Sequence, residues 1–362
     1  MKLISAIRTN LVKSAKSIGF AGLIICISPD LMAQDVHFSQ FYENAILRNP
    51  ALTGIFSGDY KAGVNYRSQW SSVDANPFMT VLASAEGRIR LGERIPDCFS
   101  FGLTAVYDRS NSIDFTTTQV YPALNYNKFI ESRHNTFLSL GFTFGYIQRS
   151  VDVSKMTFAN QYANGSYSAS NSSRETLRFM NTNNFDLGFG LSVNSSFGKD
   201  NRHNYFIGGA YYHVTTPSLS FREQAQLVKL APKYTFSYGM KLSMTENSSV
   251  LLHLNYVDQN PYREIIGGGL VSWKDRMPKG HNNLVLYAGL FYRYQDAFIP
   301  TVKVDFNNYS INVSYDINNS STRRATNGWG GYEISLFCKG FFPSTNHSIM
   351  CPRFEDQRIE FQ

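Results

Sequence analysis

Seven histidines and four cysteines are the residues of this chain best suited to metal or nucleophile chemistry, and their spacing supports neither. No two histidines stand where one strand or helix would turn them toward the same metal ion. The sequence has no C-x-x-C, no H-E-x-x-H, no G-x-S-x-G and no phosphate-binding loop. His253 alternates with Leu252 and Leu254, so on a strand it would face away from them. A hydrolase could in principle bring His253 to a serine from another strand, because such sites are defined by geometry rather than order. Nothing else in the sequence supports that assembly. Gly267-Gly268-Gly269 lacks the spacing of a dinucleotide loop and suits close packing or a bulge within a strand. The expectation is a non-enzymatic protein with no cofactor and no metal.

The elements that would carry any site are strands. From Phe185 onward, Phe185, Leu187, Phe189, Leu191 and Val193 fall on one side. Asp186, Gly188, Gly190, Ser192 and Asn194 fall on the other. A period of two marks a strand with one apolar face and one small or polar face. Fourteen such runs can be marked between Asp59–Arg67 and Tyr332–Phe341, each of roughly 8 to 13 residues, the length a tilted strand needs to cross a bilayer. The even count suits a barrel with both chain ends on the periplasmic side. The longest connections, 149–184, 215–233 and 318–331, follow odd-numbered runs, as outer loops should. Odd-numbered runs also finish near tyrosine: Tyr66, Tyr107, Tyr146, Tyr211 and Tyr212, Tyr256, Tyr292 and Tyr294, and Tyr315. Tyrosines gathered at one end of alternate strands suit an interfacial girdle. The fold class expected is all-β: a transmembrane antiparallel barrel of about fourteen strands, with glycine and serine toward the lumen and large apolar residues toward lipid.

Composition agrees. Charged residues make up 17% and aromatics 15% of the 362 residues. A typical soluble domain carries roughly 25% charged residues. The first 33 residues place Lys2, Arg8, Lys13 and Lys16 before an apolar run from Ile18 to Ile27, then Leu31-Met32-Ala33, the order of a signal peptide cleaved after Ala33. Cys26 suits a lipoprotein anchor poorly, because Ile25 before it is too large. Removing this leader leaves 30 basic against 26 acidic residues, and the resulting +4 is too weak to argue for nucleic acid. Three cysteines remain, Cys98, Cys338 and Cys351, an odd number that precludes a fully paired framework. One bridge among them is possible, with unpaired structural thiols the favoured reading.

Several short motifs run in order along the mature chain. They are F-S-Q-F-Y at Phe38, N-P-A at Asn49, Y-R-x-Q-W at Tyr66, Y-D-R-S at Tyr107, Y-D-I at Tyr315, E-I-S-L at Glu333 and C-P-R-F at Cys351. Together they resemble the PorP/SprF family of outer-membrane proteins of Bacteroidetes, associated with type IX secretion and gliding. The resemblance implies a barrel in the cell outer membrane that works with type IX components to deliver or hold a large secreted adhesin. Its partners would be outer-membrane lipid, the secretion machinery and that adhesin. The division expected is a signal peptide at 1–33, a leading segment at 34–57 acting as plug or periplasmic lid, a barrel at 58–342 and a tail at 343–362. Proline fixes φ and restricts the residue before it to extended shapes, so Asn49-Pro50 would start a turn bracing the leading segment. Arg67 would pair in the lumen, and Trp70 would anchor at the membrane interface beside Gln69. Asn49, Pro50, Arg67, Gln69 and Trp70 are therefore the candidate partner-binding or structural residues. Two rival readings are a porin-like solute channel and a soluble secreted β-sandwich.

Overall fold

A computed structural model describes residues 35–70, 77–92, 97–110, 114–163, 165–174, 180–221, 229–275, 284–321, 323–342 and 351–354. The expected signal peptide and its cleavage point, and the end of the tail, lie outside the described residues. Fourteen long strands form the wall: β1 (Tyr60–Gln69), β2 (Phe78–Arg90), β3 (Cys98–Ser110), β4 (Phe115–Glu131), β5 (Thr136–Ser150), β6 (Asn181–Phe197) and β7 (His203–Tyr212). They continue as β8 (Lys233–Ser243), β9 (Ser248–Gln259), β10 (Tyr262–Lys274), β11 (Leu284–Arg293), β12 (Ala297–Phe306), β13 (Tyr309–Asn318) and β14 (Trp329–Gly340). Every neighbour pair is antiparallel, and β1 closes the ring on β14 with Tyr60 opposite Gly340 and Gln69 opposite Gly331. Closure removes the sheet edge, so the strands' backbone donors and acceptors are satisfied around the circumference without water. The soluble sandwich is thereby overturned.

Alternation decides which side chain meets which medium. On β5, Leu138, Leu140, Phe142 and Phe144 point out and are exposed, while Ser139, Gly141, Thr143 and Gly145 are buried inside. Ile311, Val313 and Ile317 on β13, and Ile334 and Leu336 on β14, extend the same outer band. An apolar surface this continuous requires hydrocarbon around it. Among the described residues no helix is long and apolar enough to cross a membrane; the strands cross it instead.

The lumen departs from the small-and-polar expectation in one sector. Phe206, Leu251, Ile266, Leu270, Val285, Tyr287, Phe291 and Ile299 turn inward from β7 and from β9 to β12 and form a dry cluster with Phe41, Leu52 and Phe354. Those last three residues belong to no strand. The leading segment and the tail both enter the barrel and bring their own apolar groups, which the wall must match. Tyr212 likewise leaves the expected girdle. It is one residue out of phase with Tyr211, so its hydroxyl points inward and donates to the Ile46 carbonyl (2.6 Å).

The leading segment runs the length of the lumen. At one end Asp35 meets Lys233, the first residue of β8, and Gln259, the last of β9. At the other, the Asp59 amide donates to Gly340 at the end of β14 (2.6 Å). Between them lie a 3-10 turn at Phe41–Glu43, a one-turn helix at Ala45–Arg48 and a second 3-10 turn at Pro50–Leu52. The Asp35 end lies where β5 passes to β6 and β7 to β8, the longest strand-to-strand links in the sequence, which marks it as the outer side of an outer-membrane barrel. The tail closes the opposite end: Cys351 is bonded to Cys98 at the start of β3, and the favoured reading of unpaired thiols is corrected. Spacing along the chain could not reveal this pairing, because 253 residues separate the two cysteines and only barrel closure brings them together. Among the described cysteines Cys338 is a free thiol.

The bond tethers the tail inside the periplasmic mouth, so Cys351→Ser should release it without unrolling the wall. Protease added to the purified variant should remove the C-terminus while the heat-modifiable band of the folded barrel persists. Equal resistance in variant and wild type would contradict a tethering role.

Candidate functional site

The cluster richest in chemistry is the seam between the leading segment and the wall. Arg67, on the lumen face of β1, is 1% exposed and pairs with Asp316 on β13 (3.0 Å) and with Glu333 on β14. Its guanidinium also donates to the Ser39 hydroxyl (2.6 Å). Arg293 on β11 reaches the same Asp316 (3.3 Å) and the same hydroxyl (2.5 Å). Glu333 then accepts from the backbone amides of Ser39 (2.5 Å) and Gln40 (2.9 Å), and the Gln40 side chain accepts from the Ser335 hydroxyl (2.6 Å). Arg293 also meets Asp296 (2.8 Å) and Glu264 (3.5 Å), so each arginine faces more than one carboxylate, and the cluster still leaves hydrogen-bonding capacity aimed at the plug. That is the condition under which buried ions are tolerated.

Lower in the lumen the roles reverse, with the plug supplying the anion. Glu43 lies between Lys303 of β12 (2.7 Å) and Lys61 of β1 (3.0 Å). Burial alone would raise its carboxyl, but the two lysines hold it well below the usual range. Arg48 has no carboxylate. It spans two strands by donating to the carbonyls of Tyr238 and Leu254 (both 2.9 Å) while its cation rests on the Phe41 and Phe206 rings. Burial pulls its guanidinium down to about 9.

Asn49 is wholly buried and extended, as a residue before proline should be (φ −164°). Its amide donates to the carbonyls of Leu191 on β6 and Gly209 on β7 (both 3.2 Å), and its oxygen caps the next turn through the Ala51 amide (2.9 Å). Pro50 opens that turn and lies against β5. Glycine makes the approach possible: a Cβ at Gly190 would stand 2.0 Å from the Asn49 side-chain oxygen, and one at Gly141 would stand 2.2 Å from the Pro50 carbonyl carbon. The small-residue face of the strands is therefore a mould for the plug.

At the outer mouth Asp35 receives Lys233 (2.5 Å), Gln119 (3.1 Å) and His213 (3.5 Å), and His213 also meets Asp186 (2.7 Å). Burial opposes charge on both partners. For Asp35 it is outweighed by Lys233 and His213, which hold the carboxyl well below its ordinary value. For His213 it is outweighed by Asp186 and Asp35, which raise the imidazole.

Of the five residues singled out from sequence, Asn49, Pro50 and Arg67 all lie where the leading segment meets the wall, but apart: Asn49 and Pro50 against β5 to β7, Arg67 beside Ser39, Asp316 and Glu333. Gln69 is half-buried at the outer end of β1, where its side chain lies beside Gly331. Trp70 is exposed on the outer rim, its ring edge-on to Phe78 at 5.1 Å. Ser39, Gln40, Glu43 and Arg48 were not singled out. Their partners carried a signal: Lys303, Asp316 and Glu333 are charged residues on the inner phase of otherwise apolar strands. Among the described residues no cluster suited to a metal ion occurs.

The model of a family described as type IX secretion system membrane protein PorP/SprF matches residues 31–337. Solved structures of similar architecture include the toluene transporter TbuX of Ralstonia pickettii, at 12% identity over 82% of this chain and 93% of that one, with a TM-score of 0.47. A FadL homologue of Pseudomonas aeruginosa is similar at 12% identity over 81% and 92% of the two chains (TM-score 0.45). The translocator domain of the autotransporter NalP from Neisseria meningitidis is similar at 9% identity over 83% and 95% (TM-score 0.35). No curated protein matches the chain in sequence.

Replacing Arg67 by Met would leave Glu333 buried without its cation and should destabilise the barrel by about 3 kcal/mol, read as a lower urea midpoint in detergent. His213 offers a pH test. Its raised value means that its contribution is complete below an unfolded imidazole's pKa of about 6.5 and is lost as pH rises through the folded value. Asp35, being lowered, contributes above about pH 3.9 and loses its contribution as pH falls further. The urea midpoint should therefore fall as pH rises above about 6.5 through the raised folded value, and fall less in His213→Gln. Parallel pH profiles would count against the assignment.

Proposed function

The chain belongs to the PorP/SprF family of type IX secretion system membrane proteins, and on that premise we propose that it holds a large secreted adhesin at the cell surface without conducting it. One observation carries the reading: residues 35–58 run through the lumen and are tied to the wall by the buried pairs of Glu43 with Lys303 and Lys61 and of Asp35 with Lys233, and by the Ser39 and Gln40 amides on Glu333. Displacing that segment would take Glu43 from Lys303 and Asp35 from Lys233, a penalty of several kcal/mol for each buried ion that loses its counter-charge, and would remove the Ser39 and Gln40 amides from Glu333. A client then engages the outer face, not the bore. A cleft of about 650 Å³ opens there at the rim between Tyr107, Arg109, Val153 and Met180. No catalysis is required by this role, and the sequence motifs offer none.

Two measurements test it. Deleting the gene should abolish surface display of one adhesin while leaving general secretion largely intact, and unchanged display would reject the role. Purified protein in planar bilayers should show no steady ion conductance. Sustained single-channel currents would favour the porin-like alternative.

A further inference from the structure

We infer that the periplasmic end of the lumen is a binding site for a phosphate-class oxyanion, built by Arg88 and Arg90 of β2 with Arg353 of the tail. The C-P-R-F motif, unexplained by the role above, is what assembles it. Cys351 is covalently held by Cys98, and Phe354 packs against Phe206 (4.9 Å) and His253 (5.2 Å), so the two residues between them are fixed. The Pro352 carbonyl accepts from Arg88 (3.0 Å), and the Arg353 guanidinium lies over Phe341 (5.6 Å). Arg88 and Arg90 share the lumen phase of β2, and the charge of Arg88 acts on those of both other arginines.

Among the described residues, Asp59 is the carboxylate that opposes the three cations. It stands 3.7 Å from the Arg88 Nε, too far for a hydrogen bond, and its other oxygen accepts from the Phe342 amide (3.1 Å). Six guanidinium nitrogens are buried and meet no acceptor: Nε and Nη2 of Arg88, all three of Arg90, and Nε of Arg353. The Arg88 side chain is 1% exposed. Elsewhere in the lumen Arg67, Lys303 and Lys233 each meet a carboxylate at hydrogen-bond distance, and Arg48 instead donates its Nη2 to two wall carbonyls and rests on two aromatic rings, whereas this cluster gathers three guanidiniums at one place.

Three arginines against one aspartate leave two positive charges. A phosphate monoester carries roughly −1.5 to −2 at neutral pH, with three acceptor oxygens. Guanidinium forks suit such oxygens in pairs, whereas a lone carboxylate would leave one charge unbalanced. The phosphate could come from solution or from the headgroup of an inner-leaflet lipid.

The test uses the purified full-length barrel in neutral detergent, melted in inorganic phosphate and in chloride at equal ionic strength. Phosphate should raise Tm saturably. Arg90→Gln and Arg353→Gln should each weaken the apparent phosphate affinity at least tenfold. In phosphate-free buffer the same variants should melt higher than wild type, because a like charge is gone; purely structural arginines would make them melt lower. In nanodiscs, phosphatidate in place of phosphatidylcholine should reproduce the phosphate effect if lipid is the source, and leave it to free phosphate if not. Absence of a phosphate-specific shift, or an equal shift in both variants, would overturn the site. So would a shift that emerges only when residues 355–362 are deleted, because the chain's own acidic Glu355 and Asp356 would then be its occupant.

Discussion

Charge neutralisation inside a closed, protein-filled lumen is the constraint on which the rest of the structure depends. A sheet rolled shut puts its apolar side chains in lipid and its polar ones in a bore where little water remains to screen them. Each inward cation must then find a partner on another strand or on the plug. Arg67 finds Asp316 and Glu333, Lys303 finds Glu43, and Lys233 finds Asp35. These pairs join strands far apart in sequence. The two that reach the leading segment, Lys303 with Glu43 and Lys233 with Asp35, set the height at which it sits and make its removal costly, because breaking either leaves a buried ion without its counter-charge.

Shape enforces the same placement. Gly141, Gly190 and Gly208 form a groove across β5, β6 and β7 into which Asn49 and Pro50 fit, and the Asn49 amide there binds the wall's carbonyls rather than its side chains. On the opposite wall, large apolar residues of β9 to β12 face Phe41 and Leu52. The plug thus has a polar, tightly fitted side and an oily side. The tail adds a second closure from below, tethered by the Cys98–Cys351 bond. A barrel of this width would otherwise enclose an aqueous channel. Its interior instead holds the leading segment and residues 351–354 of the tail, packed against inward apolar groups of the wall.

The sequence by itself determined the strands and their phase. A period of two is local: Leu138, Leu140, Phe142 and Phe144 cannot all turn inward without sending Ser139 and Gly141 into lipid, so the wall, its fourteen strands and its outward band were legible. The turn at Asn49-Pro50 and the inward Arg67 were legible for the same reason, since proline restricts its neighbour and a cation on the polar phase must leave the lipid. Tertiary structure decided what those inward groups meet. The partners of Arg67 lie 249 and 266 residues away, and the cysteine pair is separated by 253. No local pattern encodes which strands end up opposite one another across a lumen. Closure alone sets those distances, and with them the filled bore, the inward turn of Tyr212 and the gathering of Arg88, Arg90 and Arg353 at its lower end.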